Sequence, residues 1–159
     1  MTRYGFATVS SIALLIALVA TLTIMKEQAS AHCQVPCGIY DDPARIANLR
    51  EDATTIAKAI DNIGKLAGAH NANAFNQATR WVSTKEDHAS HIITVVSEYF
   101  LAQKVNPVTS GQEGYDGYLK SLADHHAVIV AAMKTKQAAD PATVEALNRA
   151  IDALAAHYK

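Results

Sequence analysis

The sequence predicts an all-α fold: an up-down four-helix bundle with an N-terminal hook, preceded by a signal peptide or anchor helix. Three observations carry the expectation. Apolar residues return every three or four positions through four successive stretches, the spacing that lays one stripe along a helix. Asp-Pro and Asn-Pro pairs fall between those stretches as start and stop signals. No segment alternates with period two for long enough to argue a strand.

Residues 1–31 of the 159 read as a targeting segment. Arg3 is a lone positive charge, and no further charge occurs before Lys26. Within that gap Ile12 to Ala20 form an apolar core, and Ala29-Ser30-Ala31 is a small-residue site of the kind signal peptidases accept. The competing reading is an uncleaved anchor that crosses a membrane through residues 4–25. The short apolar core and the Ala-x-Ala site favour cleavage and export, to the periplasm or outside the cell.

Residues 32–41 form the hook, "HCQVPCGIYD", which holds both cysteines of the chain. Residues 42–159 supply the bundle. Asp42-Pro43 reads as an N-cap followed by proline at the first helical position, where a missing N–H costs nothing. Ile46, Leu49, Ala53, Ile56, Ile60, Ile63 and Leu66 then mark one face, and Gly68 is a plausible stop. A second helix is expected from about Asn71 or Asn73. Its face comprises Phe75, Ala78, Val82, Ala89, Ile92, Val96 and Phe100, and Asn106-Pro107 ends it. The stretch from Asn106 to Gly117 is the longest loop. The third helix carries Tyr118, Leu119, Leu122, Ile129 and Met133. Asp140-Pro141 opens the fourth, with Val144, Leu147, Ile151, Leu154 and Tyr158 on one face. Short connections between amphipathic helices define the bundle.

Charge excludes one class of partner. The formal net charge is −1, and removing Arg3, Lys26 and Glu27 changes it little. There is no electrostatic case for nucleic acid. The bundle also lacks the Glu-x-x-His pairs of di-iron proteins, because Thr54, Ala89, Leu101, Asp116 and Asn148 stand three residues after its glutamates.

The hook carries the chemistry. Two cysteines in an exported chain ordinarily suggest a disulfide, but a Cys33–Cys37 bridge closes a very small loop and stabilises little. Cleavage after Ala31 instead gives His32 a free amine. That amine and the Cys33 backbone nitrogen can close a five-membered chelate ring, and that nitrogen with the Cys33 sulfur closes a second. Cys37 adds another thiolate after a turn that Pro36 and Gly38 ease. The His32 imidazole can reach the axial position. A plane of two nitrogens and two sulfurs suits divalent nickel or copper better than zinc, and such strong donors stabilise a higher oxidation state.

The run "HCQVPCGIY" resembles the hook of the nickel-containing superoxide dismutases, whose motif is His-Cys-x-x-Pro-Cys-Gly-x-Tyr at a processed N-terminus. Every fixed position matches: His32, Cys33, Pro36, Cys37, Gly38 and Tyr40. The resemblance implies one nickel ion per subunit, held by His32, Cys33 and Cys37. It implies superoxide as substrate, dismutated to oxygen and hydrogen peroxide, and a homohexamer of four-helix bundles. It makes Tyr40 the residue over the open face of the metal and Tyr99 a second tyrosine near the site. In some members a glutamate and an arginine hold the axial imidazole. Those positions fall here on Ala47 or Asn48 and near His88, so that relay is altered or absent.

Blander expectations stand beside these. His88 and His91 could share a metal, but solvated or subunit-facing histidines are commoner. His125, His126 and His157 read as structural or exposed, and Tyr99 with Phe100 suits a core or an interface. Two other functions compete with the enzyme: a non-enzymatic copper- or nickel-binding bundle, and a structural bundle with an oxidised cysteine pair.

Overall fold

A computed structural model of the chain describes residues 41–158, which form four helices and their connections. The targeting segment 1–31 lies outside the described residues, as do His32, Cys33, Pro36, Cys37, Gly38 and Tyr40. Helix α1 spans Asp42–Leu66, α2 spans Ala72–Thr94, α3 spans Tyr115–Gln137 and α4 spans Pro141–Ala155. Beyond Thr94 the second helix continues as a π-helical run, Val95–Leu101, and a last α-helical turn, Ala102–Lys104. Among the described residues no helix is long and apolar enough to cross a membrane.

Local chemistry sets the helix starts. Asp41, one residue earlier than expected, is the N-cap of α1: its carboxylate accepts from the Ala44 N–H at 3.0 Å. Pro43 therefore falls within the first turn, where its missing N–H is still harmless. Asn71 caps α2 by accepting from Ala74 N–H at 2.9 Å, and Asp140 caps α4 by accepting from Ala142 N–H at 2.9 Å. Gly114, before α3, has φ +86°, a left-handed conformation that strains any side chain.

Contacts between helix ends establish the up-down topology. The start of α1 meets the end of the second helix, where Tyr99 donates its hydroxyl to Asp42. Lys85, in the first half of the whole second helix from Ala72 to Lys104, reaches the last turn of α3. His125, in the first half of α3, meets Tyr158 beyond the end of α4. Arg50 of α1 pairs with Asp152 of α4. Each helix thus runs antiparallel to its two neighbours, and the core fills the space between them. Leu49 and Ile56 from α1, Ile92 and Phe100 from the second helix, Val128 from α3 and Leu147 from α4 are all fully buried there.

The expected face of α3 is rotated, and that of the second helix holds only from Ala89 onward, where Ala89, Ile92, Val96 and Phe100 are buried. On the second helix Phe75 is 76% exposed and Val82 is exposed too. The inward stripe runs through Ala74, Lys85, Ala89, Ile92 and Val96. Phe75 sits one residue off that stripe, a turn of about 100° around the helix axis. On α3, Leu119 and Met133 are exposed for the same reason, and His125, Val128, Ala132 and Thr135 point inward. The stripes contain alanine, lysine, histidine and threonine, so the larger apolar residues nearby give a misleading phase. Helix α4 matches expectation at Val144, Leu147, Ile151 and Leu154, although it ends at Ala155 and Tyr158 packs against the core from beyond it.

The candidate metal centre and the bundle around it

The hook joins the bundle at Asp41, so the start of α1 is the part of the described protein bound directly to it. Asp41 spends its carboxylate on the cap, which leaves Asp42 for contacts across the bundle. Asp42 accepts the Tyr99 hydroxyl on one oxygen and faces Lys104 Nζ at 3.0 Å on the other. The ring of Tyr99 also has the Arg45 guanidinium 5.6 Å and the Lys104 ammonium 5.8 Å from its centroid. Cations at this range are attracted to a ring face. Tyr99 is 7% exposed. It is thereby fixed beside the root of the hook.

The π-helical run positions this tyrosine. The Ala102 N–H bonds to Ser97 O, five residues back, which marks a turn wider than an α-helical one. The widened turn brings the adjacent Tyr99 and Phe100 both out of solvent, with ring centroids 4.9 Å apart at 78°.

His88 lies elsewhere on the α1–α2 seam. Its Nδ1 is 2.6 Å from Asp52 Oδ1, and His91 Nδ1 is 2.7 Å from Asp52 Oδ2. An ionised carboxylate only accepts, so both imidazoles donate from Nδ1 and their Nε2 atoms point away from Asp52. Asp52 is 6% exposed, whereas His91 lies open to solvent. Ten residues separate Asp42 from Asp52, a rise of about 15 Å along α1. His88 and Tyr99 therefore occupy different levels of the bundle. Sequence reasoning missed Asp52, though a signal existed: it falls on the apolar stripe of α1, three residues after Leu49.

His125 is fully buried and His126 exposed, as the expectation of structural or exposed histidines allows. Among the described residues no group of three or more His, Cys, Asp or Glu side chains is placed to hold a metal ion. His88 and His91 orient each other's partner carboxylate rather than forming a cage of their own.

A four-helix bundle preceded in sequence by a segment that carries a histidine and both cysteines is the class of protein found here. A family model described as nickel-containing superoxide dismutase matches residues 27–159, a span that takes in the hook and the whole bundle. The chain belongs to that family. It is an oxidoreductase that converts superoxide to oxygen and hydrogen peroxide with nickel as cofactor. The non-enzymatic readings give way to this. No curated protein and no solved structure matches the chain.

Proposed function

We propose that the nickel is held by the processed hook, through the amine and imidazole of His32, the backbone nitrogen of Cys33, and the sulfurs of Cys33 and Cys37. The observation that carries this reading is the run His32-Cys33-x-x-Pro36-Cys37-Gly38-x-Tyr40 directly behind Ala29-Ser30-Ala31. The donor set fits the ion, since thiolates and an ionised amide favour planar coordination and a raised oxidation state. Nickel bound there supplies one-electron exchange between its divalent and trivalent forms. Pro36 and Gly38 shape the turn between the two thiolates, and Tyr40 restricts what approaches the open face. Tyr99, pinned by Asp42, keeps the first turn of α1 and the hook root in register.

In this reading His88 takes the arginine's place and supports the His32 imidazole, with Asp52 orienting it from behind. Two further parts of the proposal follow from the sequence. Signal peptidase frees His32 during export, so the enzyme works in the periplasm or outside the cell. The subunits assemble as a homohexamer, which the exposed Phe75, Val82, Leu119, Val130 and Met133 support as apolar surface available for burial.

Intact-mass measurement and N-terminal sequencing of active protein, with metal analysis of the same sample, test the central claim. A chain beginning at His32 with nickel bound is the expected result. Active protein that still carries residues 1–31 overturns it.

A further inference from the structure

We infer that Tyr158 is a redox-active tyrosine, which yields one electron to a strong one-electron oxidant while its phenolic proton passes to Nε2 of His125. The inference stands on the geometry of the bundle and is independent of how the hook binds nickel.

The hydrogen bonds fix the direction of the proton. His125 Nδ1 lies 2.7 Å from the carbonyl of Ser121, one turn back on α3. A carbonyl only accepts, so Nδ1 carries the hydrogen. His125 is fully buried, and desolvation lowers its pKa, outweighing the bond to the Ser121 carbonyl, which raises it. The imidazole is therefore neutral, and Nε2 presents a lone pair. The Tyr158 oxygen is 2.6 Å from that atom, so its hydroxyl donates to it. A phenol already bonded to a neutral base can lose its electron and its proton together. It avoids both the phenolate, which burial disfavours, and the high-energy phenol cation.

Charge selects Tyr158 over Tyr99. The Tyr99 ring lies under two cations, Arg45 and Lys104, which oppose loss of an electron. Asp42 acts on both phenols, accepting directly from Tyr99 and acting on Tyr158 through space, so the cations over the Tyr99 ring make the difference. Imidazole is also ordinarily a stronger base than the carboxylate that receives the Tyr99 hydroxyl. Phe100 links the two, with centroids 4.9 Å from Tyr99 and 4.3 Å from Tyr158. The result is a continuous aromatic path from the start of α1 to Tyr158. A cavity of about 290 Å³, lined by Lys104, Asn106, Tyr118, Ser121, His157 and Tyr158, opens beside the end of that path. It admits a small reductant to restore the phenol.

The step balances. The oxidant belongs to the class that hydrogen peroxide, the product of this enzyme, generates; hydroxyl radical, for example, takes the electron and leaves as hydroxide. The O–H bond of Tyr158 breaks, an N–H bond forms on His125, and a neutral phenoxyl faces an imidazolium. Reduction by a thiol or ascorbate-like donor returns the electron, and the proton moves back. The pair would thus drain oxidising equivalents from the end of the bundle where the hook attaches.

The test uses the mature, nickel-loaded protein, oxidised by a photogenerated trivalent ruthenium polypyridyl complex that ends as the divalent complex, then freeze-trapped. The expected result is a tyrosyl electron paramagnetic resonance signal with one strongly coupled exchangeable proton, lost on transfer to D2O. Tyr158→Phe should remove most of that signal, and Tyr99→Phe should leave most of it, with circular dichroism confirming that both variants fold. An undiminished signal in Tyr158→Phe overturns the inference, as does a signal without the exchangeable coupling.

Discussion

Lys85 of α2 places its Nζ 2.6 Å from the carbonyl oxygen of Thr135 in the last turn of α3. The same ammonium reaches the Lys136 carbonyl at 2.6 Å and Glu86 Oε1 at 2.8 Å. The last carbonyls of a helix lack partners within it and carry its negative end, so a buried cation there serves as a cap supplied by another helix. Lys85→Met leaves two carbonyls and a carboxylate without this donor. A loss of about 2–3 kcal/mol in urea unfolding is expected, with a smaller loss for the more exposed Lys136→Met.

Asp52→Asn should weaken the α1–α2 seam. The carboxylate receives two imidazole N–H groups, one on each oxygen. An amide has a single acceptor oxygen, so His88 or His91 must lose its bond or change tautomer. The expected cost is about 1–2 kcal/mol. Adding His88→Ala to Asp52→Asn should cost less than His88→Ala alone, because the shared bond is already gone. Equal costs in both backgrounds would show that Asp52 does not orient His88.

Acid should destabilise the bundle before its carboxylates matter. The folded state holds His125 below its ordinary value of 6.5, chiefly by burial. The unfolded chain therefore takes up a proton as pH falls through 6.5 while the folded chain does not. Stability from this group is complete above 6.5 and is lost progressively below it, down to the lowered folded value. Asp124 is held below 3.8 by its hydrogen bond to Lys120 and then by His157, so its contribution persists until pH falls through that lowered value. Melting temperatures should thus fall between about pH 7 and pH 5. His125→Leu should flatten that slope, while lowering stability at neutral pH by removing the acceptor for Tyr158.

Replacing either thiol tests the hook without disturbing the core. Cys33→Ser or Cys37→Ser should abolish nickel binding and dismutase activity and leave the helical circular dichroism unchanged. In an oxidising compartment the two thiols can also join before metal arrives. Metal-free protein refolded without reductant should therefore recover less activity on adding nickel than protein refolded with it, since only thiolates bind the ion.

The four helices, their order and the Asp140 cap could be read from spacing and from the Asp-Pro and Asn-Pro pairs, with the α1 cap misplaced by one residue. The rotational phase of α3 and of the first half of the second helix could not. Hydropathy favours Phe75, Val82, Leu119 and Met133, yet the inward positions hold Lys85, His125 and Thr135, whose polar atoms find partners inside. A pattern that scores side chains one at a time cannot see such pairing. The motif that points to the family could be recognised because its residues are contiguous in sequence. Asp52 was not, because its importance lies in two imidazoles brought to it from 36 and 39 residues away.

The wide turn at Val95–Leu101 amounts to one residue more than an α-helix would need. Removing a single residue there would let the run tighten into an ordinary α-helix with little rotation of the segment beyond it, while the side chains inside the run change position. Tyr99 and Phe100 are the side chains with most to lose. A one-codon deletion is thus a way to unfasten the hook's anchor while every contact earlier in α2 stays as it is, and an evolving lineage could adjust the metal's surroundings by the same small edit.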